Sequence, residues 1–428
     1  MYDIVIIGSG PAGHTAALEA AKCKLKTAII EREPEKIGGV CLNEGCIPLK
    51  GLLHYSMHET DYHYIRGNVM QRVGFIRDGL RNRMENAGID IINGEARFKS
   101  PHEIEVAGKT ITFGNMIIAV GSSSKKIFNN PAVYAPEKIF ELGEVPKKAL
   151  IIGGGVIGCE YASFLNNIGV SVDIVELMDS ILFGEDMESV RTVAREFKKK
   201  NIKLFEKSEV MGISTDREVQ IRSGDTIIME KYDMIFEATG RRPNTGRIGL
   251  DIAGVKVDEK GFIEVNNNMQ TSAPNIYAAG DCIAGPMLAY AAAREASTVI
   301  SHITKSWQGN IDYDMMPKLV FSCPQLGSVG VSVEKAKKKG IDFRVYKYFF
   351  KAIGKAVVEG RDAGFLKLIA DVNEGTIIGA AGVGNEMADI FNELTVIIQS
   401  KIKIAALKEC MFIHPSYSEI IAEALNWG

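Results

Sequence analysis

Two stretches of the chain repeat one pattern of apolar and polar positions. Each has a short apolar run, a cluster of glycines, an apolar segment of helical period and a second apolar run that ends in an acid. The first stretch covers 3–31 and the second covers 149–176. Continuous apolar runs of this length are typical of strands buried on both faces of a parallel sheet. Each stretch therefore predicts a strand–helix–strand unit, and the fold is predicted to be α/β.

The pattern between and after these units predicts further elements. A helical segment is predicted over roughly 46–87, short strands over 91–113, and a linker around 122–146. From about residue 313, strands at 317–321, 343–350 and 364–371 flank helical stretches at 386–400 and 416–426. Such a mixture is typical of an α+β domain with an antiparallel sheet, so the chain is predicted to end in a domain of that kind.

Composition narrows the classes of partner. The chain has 428 residues, 46% of them hydrophobic and 24% charged, and its net charge is −3. With no polybasic run, neither nucleic acid nor an anionic membrane surface is an expected partner. No apolar stretch reaches the roughly 20 residues of a membrane-spanning helix, and the first residues lack the basic segment of a signal peptide. The predicted location is therefore the cytoplasm.

The glycine clusters carry the first chemical signal. The glycines and terminal acid of the first unit are Gly8, Gly10, Gly13 and Glu31, and those of the second are Gly153, Gly155, Gly158 and Glu176. In both units the acid lies 23 positions after the first glycine. The glycines permit a tight turn and close approach of a pyrophosphate to a helix N-terminus, and the acid accepts hydrogen bonds from ribose hydroxyls. Two such units predict two dinucleotide sites.

A pair of cysteines follows the first unit. Cys41 and Cys46 are separated by four residues, with Gly45 directly before the second cysteine and Lys50 one helical turn after it. A distorted first helical turn can bring the two sulfurs together, and a helix N-terminus and a nearby cation both lower a thiol pKa. The spacing favours a redox-active disulfide. A metal half-site or two unrelated thiols are the alternatives, although no second ligand pair follows at zinc spacing and no metal is predicted.

A histidine and an acid near the C-terminus form a second candidate. His414 precedes Glu419 by five positions. Histidine is suited to accept a proton from a thiol near neutral pH, and a carboxylate can orient the imidazole. The alternative for this pair is a surface helix cap.

Taken together, these motifs resemble those of the pyridine nucleotide–disulfide oxidoreductases, over nearly the whole chain. The matching segments read GSGPAG, GGVCLNEGCIPLK, GGGVIGCEY, ATGRRPN, YAAGD, GPMLAYAA and HPSYSE. Within the family, the Cys-Leu-Asn and Gly-Cys-Ile-Pro sequences around the two cysteines most resemble those of the dihydrolipoyl dehydrogenases. The resemblance implies oxidation of protein-bound dihydrolipoamide with NAD⁺ as acceptor. Reduction of another disulfide, or of mercuric ion, by NAD(P)H is the alternative.

The resemblance also implies cofactors and their ligands. It implies FAD binding by Gly8, Gly10, Gly13, Glu31, Gly39, Lys50, Gly121 and Asp281. It implies binding of the nicotinamide dinucleotide by Gly153, Gly155, Gly158, Glu176 and Gly240. The acid at Glu176 favours NAD over NADP, because it accepts the free ribose hydroxyl and repels a 2′-phosphate. The implied domains are an FAD domain over 1–140 and 247–311, an NAD domain over 141–246 and an interface domain over 312–428.

The implied catalytic roles follow the same resemblance. Cys41 is implied to be the interchange thiol that meets the substrate, and Cys46 the thiol that faces the flavin. Lys50 is implied to lie near the flavin, paired with Glu160.

The base of the implied mechanism comes from a second subunit. His414 and its orienting partner Glu419 act in trans, so the resemblance implies a homodimer that serves a lipoyl-bearing protein. Four positions depart from the family pattern: Leu49, Val120, Tyr290 and Phe412.

Overall fold

The first part of the chain forms a mixed sheet with helices packed around it. This computed structural model describes residues 1–306 and 310–428. The strands are β1 (Tyr2–Ile7), β2 (Thr27–Glu31), β3 (Asp90–Asn93), β4 (Ala96–Ser100), β5 (Glu103–Val106), β6 (Lys109–Ile118) and β7 (Ser122–Ser124). The helices are α1 (Pro11–Lys22), α2 (Gly39–Asn43), α3 (Cys46–Tyr55) and α4 (Tyr62–Asn86). Strands β3, β2, β1 and β6 are parallel in that order, and β5 and β4 continue the sheet as antiparallel strands.

The part of the chain that contains the second glycine unit forms a separate parallel sheet and a small antiparallel sheet. Its strands are β8 (Val133–Tyr134), β9 (Lys148–Ile152), β10 (Ser171–Val175), β11 (Lys203–Phe205), β12 (Ser208–Ile213), β13 (Glu218–Ser223), β14 (Thr226–Lys231), β15 (Met234–Glu237) and β16 (Arg241–Pro243), and its helices are α5 (Val156–Asn167) and α6 (Met187–Lys199). The parallel order is β11-β10-β9-β15-β8, and β12–β14 form an antiparallel sheet. Strand β8 lies before residue 141, where the NAD domain is predicted to begin. The position of this domain boundary stays a prediction.

The chain then returns to the first sheet. Strand β17 (Ile276–Ala278) pairs in parallel with β6, and helix α7 (Ala289–Thr304) packs against α1. The predicted third segment, 247–311, includes 307–309, which lie outside the described residues. An antiparallel ribbon of β7 and β16 connects the two glycine units.

The C-terminal part is an antiparallel sheet covered by helices. Its strands are β18 (Lys318–Val320), β19 (Gln325–Gly330), β20 (Phe343–Phe349), β21 (Phe365–Asp371) and β22 (Thr376–Gly384). Its helices are α8 (Val333–Lys338), α9 (Gly354–Val358), α10 (Met387–Gln399), α11 (Ile404–Lys408) and α12 (Glu419–Trp427). The order is β18-β19-β22-β21-β20. The predicted fold class, two dinucleotide-type units and a C-terminal α+β domain with an antiparallel sheet, is confirmed. In the described parts of the chain, no helix is both long and apolar enough to cross a bilayer.

Two central strands of this sheet, β19 and β22, were not predicted from the sequence. Strand β19 (QLGSVG) has two glycines and one β-branched residue, and in β22 (TIIGAAGVG) the three initial β-branched residues are followed mainly by glycine and alanine. Their glycines allow close packing: a Cβ at Gly327 would meet the ring of Phe391 on α10. The small residues therefore reflect helix-on-sheet contact, which no local pattern reports.

A cluster of charges joins the second glycine unit to the C-terminal sheet. Lys367 on β21 is only 12% exposed, and its Nζ lies 2.6 Å from Asp186 Oδ2 and 3.4 Å from Glu188 Oε2. Asp186 also caps α6 by accepting a hydrogen bond from the amide of Ser189. Burial opposes ionisation of Asp186, but the contacts with Lys367 and the hydrogen bonds from Ser189 together outweigh it and lower the pKa of the carboxyl.

Replacing this lysine should destabilise the protein. We expect Lys367→Met to lower the free energy of unfolding by about 1–2 kcal/mol at pH 7, because it leaves the partly buried Asp186 carboxylate without its cation, while Glu188 keeps Lys347. The loss should be present above pH ~4 and should disappear as the pH falls through the lowered pKa of Asp186. Thermal unfolding measured against pH tests this. The exposed Lys207→Met is the control, and an equal loss in both variants would contradict the expectation.

Candidate active site

The two glycine turns have the same geometry. A Cβ at Gly13 would collide with the carbonyl oxygen of Gly8, so β1 and α1 meet in direct backbone contact. Gly158 and Gly153 repeat this contact in the second unit. By contrast, a Cβ at Gly10 would meet no atom within 4 Å. The space in front of the α1 N-terminus is therefore open to a ligand.

The same open space exists at the second turn. A Cβ at Gly155, which precedes α5, also meets no atom within 4 Å. Helix N-termini present unpaired amides and a positive dipole end, so both spaces fit a pyrophosphate.

The acids at the strand ends face these turns. Glu31 Oε2 accepts a hydrogen bond of 3.0 Å from the amide of Ser9, and Glu176 Oε2 accepts one of 2.6 Å from the amide of Gly154. Each carboxylate thus lies beside a glycine turn, where it can take ribose hydroxyls. With the open helix N-termini, these acceptors fit two dinucleotides.

The cysteine pair lies on two short helices beside the first turn. Cys41 is in α2, and Cys46 is the first residue of α3. Gly39, with φ of +66°, brings the start of α2 against Gly10: a Cβ at Gly39 would lie 2.8 Å from the Cα of Gly10. The buried amide of Asn43 donates hydrogen bonds to three carbonyls at the start of this segment. These contacts place the pair at the first dinucleotide site.

Both cysteines are free thiols here, as are all seven in the described chain, and the Cys41 thiol is hydrogen-bonded to Cys46. The hydrogen bond from Cys41 is the main cause that lowers the pKa of Cys46 to about 7; the Lys50 ammonium lowers it further, whereas desolvation opposes both. The same contact with Cys46, together with burial, raises the pKa of Cys41. Cys46 is therefore the thiolate of the reduced pair, and Cys41 keeps its proton.

A buried carboxylate holds the lysine beside this pair. Lys50 Nζ lies 2.7 Å from Glu160 Oε2, and the Glu160 side chain is only 2% exposed. Its other oxygen accepts a hydrogen bond of 2.9 Å from the amide of Phe321. The sequence points to Lys50 and Glu160 through the family resemblance, whereas Phe321 was missed.

The reactivity of Cys46 should report this low pKa. In the reduced protein, we expect its alkylation by iodoacetamide to rise with pH around a midpoint of about 7, because the thiolate is the nucleophile. Lys50→Met should raise the midpoint. Mass spectrometry of digests taken across a pH series tests this. Buried Cys282, whose pKa burial raises to about 12, is the internal control. A midpoint near the ordinary thiol value of about 8.5 would contradict the expectation.

The ribbon between the units positions a further acid. Asp281 Oδ2 accepts a hydrogen bond of 2.6 Å from the Ser122 hydroxyl, which in turn accepts one of 2.7 Å from Arg241. Gly121 and Gly240 directly precede the two ribbon strands, with φ of +66° and +120°. Asp281, Gly121 and Gly240 are thus brought together, as one network between the two glycine units.

Glu295 is a site residue that the sequence reasoning missed. It is buried in α7, and its carboxylate accepts hydrogen bonds from the amide of Gly280 (2.7 Å) and the hydroxyl of Tyr313 (2.8 Å). Burial raises its pKa. The residue fixes the turn that carries Asp281. An acid inside an alanine-rich helix was the available signal.

The histidine pair lies on a different surface. His414 Nδ1 is 2.8 Å from Glu419 Oε1, and the His414 side chain is 78% exposed. Glu419 Oε2 also accepts a hydrogen bond from the amide of Ser416, so the acid holds the loop before α12 as well as contacting the imidazole. Burial opposes its ionisation, but these two bonds outweigh it and lower its pKa. Helix α12 packs on β20 and β21, whereas α3 packs on α4 and α5.

The four departures from the family pattern have plain structural settings. Leu49 is buried in α3, the redox helix that begins at Cys46, and it belongs to the core beneath this helix. Val120 and Phe412 pack, half-buried, against the first and the C-terminal core. Tyr290 is exposed and donates a hydrogen bond to the carbonyl of Pro317. Across 1–306 and 310–428, no three histidine, cysteine, aspartate or glutamate residues group as metal ligands.

Known proteins share this arrangement over the whole chain. Residues 2–296 match the family model described as pyridine nucleotide-disulphide oxidoreductase, and residues 316–425 match its dimerisation domain. A dihydrolipoyl dehydrogenase of Chlamydia pneumoniae is 33% identical over 99% of this chain and 96% of its own length. That of Corynebacterium glutamicum is 34% identical over 99% and 97%.

Solved structures agree with this assignment. The HOCl-induced flavoprotein disulfide reductase RclA of Escherichia coli superposes with a TM-score of 0.93, at 30% identity and full coverage of both chains. A Cu(II) complex of the same enzyme gives a TM-score of 0.91. The prediction of FAD and a nicotinamide dinucleotide as cofactors is confirmed at the level of the family, whose members use both. The chain belongs to the pyridine nucleotide-disulphide oxidoreductase family.

Proposed function

We propose that this protein oxidises protein-bound dihydrolipoamide to lipoamide, with NAD⁺ as the acceptor. The observation that carries the proposal is the Cys41–Cys46 dithiol, with the ion pair of Lys50 and Glu160 beside it. The dihydrolipoyl dehydrogenases that match the whole chain support the choice of substrate.

The first half of the reaction is thiol–disulfide exchange. His414 of a second subunit takes a proton from one substrate thiol, whose sulfur attacks Cys41 in the oxidised pair. A mixed disulfide forms, and Cys46 leaves as a thiolate, which its low pKa favours. The second substrate thiol then gives up its proton to solvent, and its sulfur attacks the substrate sulfur of the mixed disulfide, so that Cys41 leaves. Lipoamide is released, and Cys41 recovers its proton from His414.

The second half returns the electron pair to the coenzyme. FAD, when bound, would carry two electrons from the cysteine pair to NAD⁺. The residues proposed to hold it are the first glycine turn with Glu31, Gly39, Gly121, Lys50 and Asp281. Those proposed for NAD are the second turn with Glu176 and Gly240. The protein's own contribution is the Lys50 ammonium, which stabilises the Cys46 thiolate.

The proposed assembly is a homodimer built on the C-terminal domain. Its support is the dimerisation-domain match over 316–425 and the exposed segment that carries His414, in which Met411 is 99% exposed. A homodimer brings His414 of one chain to Cys41 of the other. We also propose the cytoplasm as location, a lipoyl-bearing protein as partner, and the four-part domain division given above.

A second candidate is reduction of another disulfide by NAD(P)H. The full-length likeness to RclA, a flavoprotein disulfide reductase also solved as a Cu(II) complex, favours it. The two candidates differ in direction: the first uses NAD⁺ and a dithiol, whereas the second uses a reduced coenzyme and a disulfide or metal ion.

Steady-state assays of the FAD-loaded protein separate these functions. One set of assays should measure dihydrolipoamide oxidation with NAD⁺ and with NADP⁺. A second set should measure reduction of glutathione disulfide, coenzyme-A disulfide and Cu(II) with NADH and with NADPH. Fast dihydrolipoamide oxidation with NAD⁺ supports the proposal. Turnover confined to another disulfide or to Cu(II) contradicts it.

Coenzyme choice should depend on one carboxylate. We expect Glu176→Ala to raise the KM for NAD⁺ about tenfold or more, because a hydrogen-bonded ribose contact is lost, and to narrow the preference over NADP⁺. Initial rates against each coenzyme test this. Glu31→Ala is the matched control at the other turn: it should reduce FAD retention and leave the coenzyme preference unchanged.

A further inference from the structure

Phe321 lies where the C-terminal domain meets the redox helix. The half-buried ring follows β18, and the Lys50 ammonium is 5.0 Å from its centroid. The backbone amide of the same residue donates the 2.9 Å hydrogen bond to Glu160 Oε1. One residue thus contacts both members of the ion pair, the cation through its ring and the carboxylate through its amide.

The loop that carries this residue is fixed to α5. Glu160, Ser163 and Asn167 form one polar stripe along α5, at the spacing of a single helix face. The Ser163 hydroxyl accepts a hydrogen bond of 3.1 Å from the amide of Cys323. Asn167 donates to the hydroxyl of Ser56, just after α3. The stripe therefore joins the redox helix, the second glycine unit and the C-terminal domain, and it fixes the backbone of the loop that carries Phe321.

The charged and titratable groups around Cys46 lie on four helices. Cys41 and Lys50 face it from α2 and α3, Glu160 and Tyr161 from α5, and Tyr290 from α7. Lys50 is the one cation in this described set. It is 29% exposed on a flexible four-carbon stem, so its distance from the sulfur depends on what restrains the ammonium.

We propose that Phe321 is a positioning residue of the redox site. Its ring and its amide together restrain the Lys50 ammonium and the Glu160 carboxylate beside Cys46. An aromatic face attracts a cation electrostatically, which an aliphatic side chain of similar size does not do. The proposal rests on the role of Cys46 in the proposed function. It is independent of the identity of the disulfide substrate.

The test measures Cys46 directly, without dihydrolipoamide. The holoenzyme is reduced, and the alkylation rate of Cys46 is followed against pH by mass spectrometry for the wild type, Phe321→Leu and Phe321→Tyr. Phe321→Leu keeps the amide and the apolar bulk but lacks the aromatic face. We expect it to raise the midpoint by about half a pH unit, the scale of a partly exposed cation–π contact. Phe321→Tyr keeps the face and should titrate like the wild type.

A double variant shows whether the effect passes through Lys50. In a Lys50→Met background, Phe321→Leu should cause no further shift, because the cation is already gone. An unshifted Phe321→Leu variant, or an equal shift with and without Lys50, would overturn the proposal. If Phe321→Leu does not fold, Phe321→Met provides the same comparison. If the wild-type protein does not oxidise dihydrolipoamide, that result contradicts the proposed function alone, since the titration of Cys46 uses no lipoyl substrate.

Discussion

Cys46→Ser should abolish dihydrolipoamide oxidation. We expect a loss of at least about 10³-fold in kcat, because a serine cannot form the disulfide that accepts the electron pair. In the reduced holoenzyme, we also expect a long-wavelength absorbance from contact between the Cys46 thiolate and the flavin. This absorbance should disappear in Cys46→Ser, since it needs the thiolate. Stopped-flow spectra and steady-state rates of the same preparation measure both effects.

Two further variants make this result specific. Cys41→Ser should stop turnover to the same extent but retain the long-wavelength absorbance, because Cys46 is still present as a thiolate. Cys410→Ser changes an exposed cysteine elsewhere and should leave both readouts unchanged. More than a tenth of wild-type turnover in Cys46→Ser would show that the pair is not the electron acceptor. If the two absorbance results are exchanged, the proposed roles of the cysteines are wrong.

The parts of the fold that the sequence predicts are those with local causes. The glycine turns are recognisable because Gly13 must contact the Gly8 carbonyl, and that contact depends on residues five positions apart. Helix α5 ends at Asn167, two residues before Gly169, whose φ of +88° is typical of the residue that follows a helix. Strands β19 and β22 are not predicted, because the glycines of both and the alanines of β22 allow a helix to pack across the sheet, and no local pattern reports that contact.

The same division applies to the candidate site. The spacing of Cys41 and Cys46 is a local signal, and the structure brings the two thiols together. The ion pair of Lys50 with Glu160 joins residues 110 positions apart, and it was expected only through the family resemblance. The contact of Phe321 with Glu160 spans 161 positions and has no local signal at all. A single sequence therefore identifies the reacting groups better than the groups that position them.

His414→Ala should slow dihydrolipoamide oxidation by about 10²–10⁴-fold, the range for removal of a general base. Reduction of an artificial electron acceptor by NADH should continue, because that reaction uses no substrate thiol. Glu419→Gln should cause a smaller loss, since the imidazole remains but its 2.8 Å contact is weakened. His58→Ala, at another exposed histidine, is the control. Equal losses in both assays would show that His414 acts on something other than the thiol step.

Mixing two inactive variants tests whether this base acts in trans. A heterodimer of a Cys41→Ser chain and a His414→Ala chain contains one site with both residues intact, if each site takes its histidine from the other subunit. Random reassortment of equal amounts should then restore about one quarter of wild-type activity. If the histidine served the cysteine of its own chain, every site in every dimer would lack one group, and the mixture would stay inactive. The exposure of His414, and its position in the loop before α12, a helix that packs on β20 and β21 rather than on α3, favour the first outcome.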